Sequence, residues 1–388
     1  MRFPEFSGDW KESTIGKEFE LYSGNTPSRL DKENFVGDVN WITSGELKEH
    51  YIGDTKEKIS ESSAKENNLR LMPEGTFVIA IYGLEAEGVR STGSIITKRS
   101  TISQACMAFT PKGDISNEFM YSWYKKHGNV IGIRYAQGTK QQNLSYDIIE
   151  KFKIRYPSLK EQDKLNSFIS LLDTRIATQI RIINEIQSLI SGITQKISKH
   201  SSIRMTMLSE LLEERNEKNT ALFPVHSVSV SEGVINQIDY LGRSFAAADT
   251  SHYNVAHKGD IIYTKSPTGE FPFGIVKRNA IESNVAVSPL YGVYKPISDD
   301  VAIYLHYYFC SPLNAQNYLH KLIQKGAKNT INITNQRFVQ NCIPLPDKKT
   351  LEGFVKLTTT VSTKLKLEKS LLEKLQKQKR YLLTQMFV

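Results

Sequence analysis

The best nuclease-like spacing in this sequence lies early in the chain. Asp38 is followed by Glu46 and Lys48, an Asp…Glu-x-Lys order whose carboxylates could hold Mg²⁺ beside a lysine. The spacing is short and common by chance, so the plainer interpretation is a strand and a turn followed by a charged surface. A single-chain, Mg²⁺-dependent DNA nuclease or nickase therefore stays the second hypothesis for this protein.

Other motifs for nucleotides, cofactors and metals are absent from the sequence. It contains no GxxxxGK[ST], no GxGxxG after a strand, no NPPY-like or DPPY-like tetrapeptide and no HExxH. Cys106, Cys310 and Cys342 are far apart and lack CxxC spacing. We therefore expect reduced thiols in a cytoplasmic protein, with no metal site, no cofactor and no catalytic residue in this chain.

The charge of the chain favours an acidic partner. The formal net charge is +9 at pH 7, which is compatible with nucleic-acid binding but does not prove it. No apolar run reaches the roughly 18 residues that a membrane span needs, and the N-terminus has no apolar signal core. We expect no membrane partner.

A long helix with a coiled-coil pattern is predicted over residues 158–200. From Leu165 onward, aliphatic residues recur at alternating spacings of four and three, with one glutamine among them. The positions are Leu165, Ile169, Leu172, Ile176, Gln179, Ile183, Ile186, Ile190, Ile193 and Ile197. A 3.5-residue period of this length is typical of a coiled-coil seam. About 40 residues would make a rod roughly 60 Å long.

The same pattern recurs 189 residues later, over residues 346–388. Its positions are Phe354, Thr358, Val361, Leu365, Glu368, Leu372, Leu375, Lys379, Leu382 and Met386. Because each seam needs a partner, we predict that the two helices form an antiparallel coiled coil. The polar position Gln179 recurs as Glu368, and equivalent residues of an antiparallel pair meet only near its pseudo-twofold axis. We therefore predict that Gln179 and Glu368 lie together and that Leu172 and Leu365 are buried.

Two globular units, residues 1–157 and 201–345, precede the two helices. Short β-rich runs at 38–43, 75–82, 94–97 and 106–109, and an aromatic helix at 117–127, predict a mixed α/β first unit. Three segments correspond in order between the units: 73–79 with 256–262, 119–123 with 304–308, and 138–143 with 326–332. The predicted fold is α+β, a tandem repeat of about 190 residues in which each unit is followed by a long helix.

The ordered motifs on this repeat resemble a known family. They include the opening Phe-Pro-Glu-Phe at residues 3–6, Gly-Asn-Thr-Pro-Ser at 24–28 and Trp-Ile-Thr-Ser-Gly-Glu-Leu at 41–47. The junction into the first long helix adds residues 137–144 and 157–162. With these motifs the chain resembles the DNA specificity (S) subunit of type I restriction–modification systems.

The resemblance implies a division of labour. Two target recognition domains would each read one part of a bipartite site in double-stranded DNA, and the helices would set the gap between the two parts. Two methyltransferase (M) subunits and two restriction (R) subunits would join the chain. Those partners would use S-adenosylmethionine, ATP and Mg²⁺. A non-DNA assembly scaffold is a third hypothesis, and it would show no salt-sensitive DNA binding.

The residues expected to contact DNA combine a Gly-hinged loop in each unit with scattered cations. Lysine and arginine suit phosphates and guanine, whereas asparagine and glutamine suit adenine. The candidates are Arg29, Lys98, Arg99, Arg134, Gly138, Thr139, Lys140, Gln141, Asn143, Lys328, Asn329 and Asn332. An ordinary polar loop that caps the next helix is an equally plausible interpretation of both loops.

Overall fold

A computed structural model describes residues 1–82, 92–135, 144–200, 202–241, 249–325 and 331–387. The chain divides into two units: Met1–Thr178 with Leu372–Val388, and Gln179–Leu371. Each unit therefore contains one globular part and portions of both long helices. Within the described ranges, no helix is both long and apolar enough to cross a membrane.

The first unit combines short strands with helices of very different lengths. Its strands are Lys11–Thr14 (β1), Phe19–Ser23 (β2), Val39–Ile42 (β3), Tyr51–Ile52 (β4), Lys58–Ile59 (β5), Phe77–Ala80 (β6), Gly93–Ile96 (β7), Ser100–Ile102 (β8), Cys106–Pro111 (β9) and Lys153–Tyr156 (β10). Its helices are Ile15–Glu18 (α1), Glu61–Glu66 (α2), Asn117–Tyr135 (α3), Tyr146–Ile149 (α4) and Leu159–Ile197 (α5), which continues into the second unit. The strands and the aromatic helix predicted here are confirmed.

The core of the first unit lies between a sheet and α3. The sheet has the order β2-β9-β6-β7-β4, and β6 and β9 place Phe77 opposite Phe109. Phe119 of α3 is fully buried in the same cluster. The aromatic side chains at the start of α3 are thus core residues.

The second unit repeats this plan with different sequences. Its strands are Arg204–Met207 (β11), Leu212–Glu214 (β12), His226–Ser229 (β13), Gly233–Asn236 (β14), Asn254–Ala256 (β15), Ile261–Tyr263 (β16), Val276–Arg278 (β17), Val285–Val287 (β18), Gly292–Pro296 (β19), Gln324–Lys325 (β20), Ile331–Asn332 (β21) and Cys342–Leu345 (β22). Its helices are Gln237–Leu241 (α6), Asp299–Cys310 (α7), Pro312–His320 (α8), Asn335–Phe338 (α9) and Lys348–Met386 (α10), which ends in the first unit.

Two local features show the repeat directly. In each unit the first strand pairs antiparallel with the strand that leads into a long helix, β1 with β10 and β11 with β22. The turns that enter β6 and β16 each hold a glycine at positive φ, Gly75 at 84° and Gly259 at 92°. L-residues with a side chain rarely adopt this conformation. The weak match between residues 73–79 and 256–262 therefore reflects a shared turn.

The two long helices run antiparallel wherever they pair. In the first unit, Leu165 and Ile169 of α5 share the core with Leu382 and Met386 of α10. In the second unit, Ile193 and Ile197 at the end of α5 pack against the core in which Leu351 and Phe354, at the start of α10, are buried. Residue numbers thus rise along α5 as they fall along α10.

The predicted polar contact is confirmed. Nε2 of Gln179 donates to Oε2 of Glu368 at 2.5 Å and to the Glu368 carbonyl oxygen at 3.1 Å. Leu172 is 8% exposed, as predicted. The burial predicted for Leu365 is wrong, because that residue is half-buried. Leu365 lines a cavity in the second unit instead of packing tightly in the seam.

The remaining seam residues vary in burial. On α5, Leu165 and Ile169 are the most completely buried, and Ile183, Ile186 and Ile190 are buried as well; Leu375 is buried on α10. Ile176 and Leu372 are only half-buried. The seam is therefore continuous in sequence but not uniformly tight.

The start of α5 is fixed by a buried glutamine in the first unit. Gln162 donates from Nε2 to the carbonyl oxygens of Asp114 at 2.6 Å and Pro157 at 2.9 Å. Its Oε1 accepts the Ser116 N–H at 2.9 Å. The Pro-Ser-Leu-Lys-Glu-Gln motif at 157–162 thus joins the helix start to the globular part of this unit.

Replacing Gln162 with alanine should destabilise the first unit. The substitution removes three hydrogen bonds to buried or partly buried backbone groups, which we expect to lower the free energy of unfolding by about 3 kcal/mol. Urea titration followed by circular dichroism measures this change. The control is Gln376→Ala on an exposed face of α10, for which we expect a change within about 0.5 kcal/mol. Equal effects of the two substitutions would contradict the role of Gln162.

Candidate nucleic-acid interface

Two of the sequence motifs pack against each other in the first unit. The indole N–H of Trp41, which is 2% exposed, donates to the Asn25 carbonyl oxygen at 3.2 Å. Gly24 is required by close approach, because a Cβ there would lie 1.8 Å from the Ile102 carbonyl oxygen. The Gly-Asn-Thr-Pro loop is therefore held on the three-stranded sheet β5-β3-β8.

Arg29 ends this loop and is already engaged within the unit. Its guanidinium donates to both carboxylate oxygens of Glu57, at 2.8 and 2.9 Å. The same group lies 5.0 Å from the ring centre of Phe35 and 5.6 Å from that of Trp41. The hydrogen bonds from Arg29 lower the pKa of the Glu57 carboxyl. A DNA phosphate would have to compete with Glu57, so the described contacts give Arg29 a structural role.

Lys98 and Arg99 lie beside the same small sheet. They precede β8, whose Ser100 pairs with Asn40 of the parallel strand β3. Both side chains are exposed, and Arg99 lies 3.9 Å from Glu61, too far for a strong ion pair. Arg99 also lines a shallow depression with Asp38. Lys98 and Arg99 are thus accessible to an acidic partner.

Glu46 has a structural task in the same region. Its Oε2 accepts the Thr43 N–H at 2.8 Å and the Thr43 hydroxyl at 3.0 Å, and its Oε1 accepts the Lys56 N–H at 2.8 Å. This is a capping box at the turn after β3. Both oxygens that a nuclease would need for Mg²⁺ are therefore bonded to the protein, and no observation favours the nuclease hypothesis.

For the two Gly-hinged loops, the structure describes mainly the residues that flank them. Gly138, Thr139, Lys140, Gln141 and Asn143 lie outside the described residues. Arg134 belongs to the last turn of α3, where only the backbone is described. After the loop, Leu144 is fully buried, and its N–H donates to the Ile81 carbonyl oxygen at 2.9 Å. Leu144, the first described residue after this segment, is thus fixed beside the end of β6.

The second unit anchors its loop on a dense aromatic cluster. Lys328 and Asn329 lie outside the described residues, and Asn332 belongs to β21, where only the backbone is described. Strands β20 and β21 pair on either side of the segment. Leu322 before β20 and Ile333 after β21 are buried in the same core cluster as Phe338. Phe338 stacks on Tyr263 at 4.5 Å and lies 5.0 Å from Tyr294. The hairpin is therefore anchored at both of its ends in this core.

Comparison with known proteins finds a family model that matches just under half of the chain. Residues 7–188 match the family model of the type I restriction modification DNA specificity domain. The MjaIX specificity subunit of Methanocaldococcus jannaschii is 28% identical over 172 residues, which cover 43% of this chain and 39% of that protein. The EcoR124I/EcoR124II specificity subunit of Escherichia coli is 24% identical over 177 residues, covering 45% and 43%. The chain thus spans less than half of the length of these curated relatives.

Solved structures extend the likeness of fold to the whole chain. The S subunit of a type I restriction–modification system from M. genitalium has a TM-score of 0.58 at 13% identity, covering 100% of this chain and 99% of that one. A chain from a study of assembly and conformational transition in a type I system also has a TM-score of 0.58, at 11% identity and 98% coverage of both chains. The two-unit fold with paired helices is therefore the fold of these S subunits.

Proposed function

We propose, on the premise that residues 7–188 belong to the type I restriction–modification DNA specificity domain family, that this chain reads DNA sequence for a type I complex. The observation that carries the proposal is the structural repeat: matched strand pairs, matched glycine turns and matched core helices occur in both units. The residues around these repeated elements differ between the units. Two readers built on one plan suit a DNA site with two different parts.

Base reading would fall to the loops that extend from these anchors. Arginine and lysine pair with guanine, and asparagine and glutamine with adenine, in the major groove. Residues 138–143 and 328–332 offer these types, whereas Lys98 and Arg99 would contact phosphates. Arg29 would support the fold beside them. Phosphate contacts supply affinity and orientation, and base contacts supply the sequence preference.

The chemistry would belong to partner subunits. Methyltransferase subunits would supply S-adenosylmethionine-dependent adenine methylation, which requires the base to be flipped out of the duplex. Restriction subunits would supply ATP-driven cleavage. The outer faces of the long helices carry exposed apolar side chains, among them Leu171 at 71% and Leu189 at 53%. Exposed apolar residues of this kind are typical of interfaces, and we assign them to the methyltransferase subunits.

An activity assay separates this function from the nuclease hypothesis. We expect the pure chain with Mg²⁺ and plasmid DNA to show no cleavage. We expect sequence-specific methylation once a cognate methyltransferase subunit and S-adenosylmethionine are added. Nicking by the pure chain that disappears in Glu46→Gln would favour the nuclease instead.

Removing one loop lysine should weaken phosphate binding in a measurable way. In a complex with the methyltransferase subunit, Lys140→Ala should make the slope of log binding constant against log salt shallower by about one unit. Fluorescence anisotropy over a salt series measures the slope. Lys17→Ala, at an exposed position on α1, is the control and should leave it unchanged. An unchanged slope for Lys140→Ala would remove that loop from the proposed interface.

A further inference from the structure

A cavity of about 440 Å³ lies inside the second unit. Its apolar wall comes from Ile190 of α5, Val234 of β14 and Leu365 of α10. Its polar wall holds Lys277 of β17 together with Cys310, the last residue of α7. The cavity exceeds by far the roughly 30 Å³ that one water occupies in the liquid. A small solute therefore fits in the cavity that Cys310 lines.

Cys310 is held between two nitrogen donors. Nζ of Lys277 donates to Sγ at 3.2 Å, and Nε2 of His306 lies 3.8 Å from the same sulfur. The backbone N–H of Arg278 donates to Nδ1 of His306 at 3.3 Å. That bond occupies Nδ1 and leaves Nε2 as the ring nitrogen that faces the sulfur. Lys277 and His306 thus both place nitrogen donors beside Cys310.

Because Lys277 is buried, its contact with the Cys310 sulfur matters for the energy of the site. The residue is only 4% exposed, and within the described ranges its ammonium has no hydrogen-bonded carboxylate. A buried ammonium without a counter-ion is costly. The Cys310 sulfur is the group placed to neutralise it. The Lys277 side chain is therefore placed to stabilise the thiolate form of Cys310.

The other charged groups at the cavity are already paired. Arg278 forms an ion pair with Asp299, and Glu232 lies 3.4 Å from Lys369. Tyr307 also lines the cavity, and burial raises its pKa. Burial raises the pKa of the Cys310 thiol as well, but its donors outweigh burial and bring that pKa to about 6.

We propose that Cys310 is a modification site, a thiolate that small hydroperoxides oxidise to a sulfenic acid inside this cavity. The thiolate attacks one oxygen of hydrogen peroxide, so that the S–O bond forms as the O–O bond breaks. Sulfur loses two electrons to the peroxide, and the departing hydroxide takes a proton from solvent. Reactivity of this kind requires a thiolate with access to solvent, and Cys310 is half-buried at an open cavity.

Oxidation should also change the unit around the site. A neutral sulfenic acid no longer balances the Lys277 ammonium, so that group loses its counter-ion in a buried position. The cavity wall includes Ile190 and Leu365 of the two long helices. We therefore expect peroxide treatment to lower the melting temperature of the wild-type chain but not that of Cys310→Ser.

The chain carries its own controls for the chemical test. Cys342 is half-buried like Cys310, and within the described part of the chain its sulfur has no hydrogen bond to a lysine or histidine. Cys106 is fully buried, and burial raises its pKa to about 12. One sample therefore compares Cys310 beside its charged partner, Cys342 as an accessible thiol without such a partner, and Cys106 as an inaccessible thiol.

The experiment treats the full-length chain with hydrogen peroxide at pH 6 in the presence of dimedone, which traps sulfenic acids. Peptide mass spectrometry measures the labelling rate at each cysteine. A lower pKa gives Cys310 a larger fraction of thiolate at pH 6, but it also makes that thiolate a weaker nucleophile. With both effects counted, we expect Cys310 to react about ten times faster than Cys342 at pH 6. Cys106 should not react. Equal rates at Cys310 and Cys342 would overturn the proposal.

A substitution of Lys277 tests the cause. Lys277→Met keeps the length of the side chain and removes its charge, so labelling of Cys310 at pH 6 should fall towards the rate of Cys342. Lys277→Arg keeps the charge and should preserve part of the reactivity. An undiminished rate in a folded Lys277→Met variant would refute the ammonium's role. If that variant does not fold, the wild-type rate of Cys310 from pH 5 to 9 decides. A plateau reached by about pH 7 supports the proposal, and a rise continuing through about pH 8.5, the ordinary thiol value, overturns it.

Discussion

Leu172→Asp is expected to unfold the helix pairing in the first unit. Leu172 is 8% exposed and belongs to the core that α5, α10 and α3 share. An unpaired carboxylate in this apolar cluster adds a desolvation cost to the lost packing, which together should lower the free energy of unfolding by about 4 kcal/mol or more. Urea titration followed by circular dichroism measures the loss.

The neighbouring residue provides a matched control. Leu171 is 71% exposed on the same turn of α5, so Leu171→Asp should change stability by no more than about 0.5 kcal/mol. The same variant should bind the methyltransferase subunit more weakly in a pull-down, because Leu171 lies on the proposed docking face. Equal destabilisation by the two substitutions would show that the seam register is wrong.

Exchange of the first unit is the second prediction with a large effect. Replacing residues 1–157 with those of a specificity subunit that has another target should change one part of the recognised site and preserve the other. The reason is that each unit has its own core and its own anchored loops. Methylation mapping in cells that carry the chimera and the methyltransferase subunit measures the result.

The structure also shows how the chimera should be built. Arg2 forms a two-pronged ion pair with Glu161 of α5, and Met386 of α10 packs in the same core. A graft of residues 1–157 alone breaks such contacts. A second chimera should therefore exchange residues 1–178 together with 372–388, which keeps the whole unit. A change in both parts of the site in this chimera would contradict separate reading by the two units.

Sequence periodicity predicted the helices and their register correctly. The offset of 189 residues placed Gln179 opposite Glu368 because an antiparallel pair of equivalent helices fixes which residues meet. The strands around Trp41 and Phe77 were also predictable, since buried runs between glycines have a local pattern. All of these features are determined either by residues close together in sequence or by a repeat of known offset.

Contacts between unrelated positions could not be predicted in the same way. Nothing local marks Glu57 as the partner of Arg29, or Glu46 as the acceptor of the Lys56 N–H. The pairing of Lys277 with Cys310 joins a strand to a helix end. The half-burial of Leu365 depends on a cavity that no heptad pattern records. Tertiary packing decides each of these contacts.

The measurement that tests the central claim most directly is the methylome of cells that express this chain with its cognate methyltransferase subunit. The proposed function predicts modified adenines within one bipartite motif, in which two specific parts flank unspecified base pairs. Deletion of the chain should abolish the motif while the methyltransferase subunit remains. An unbroken motif, or the same methylation without this chain, would contradict the claim that its two units read the DNA.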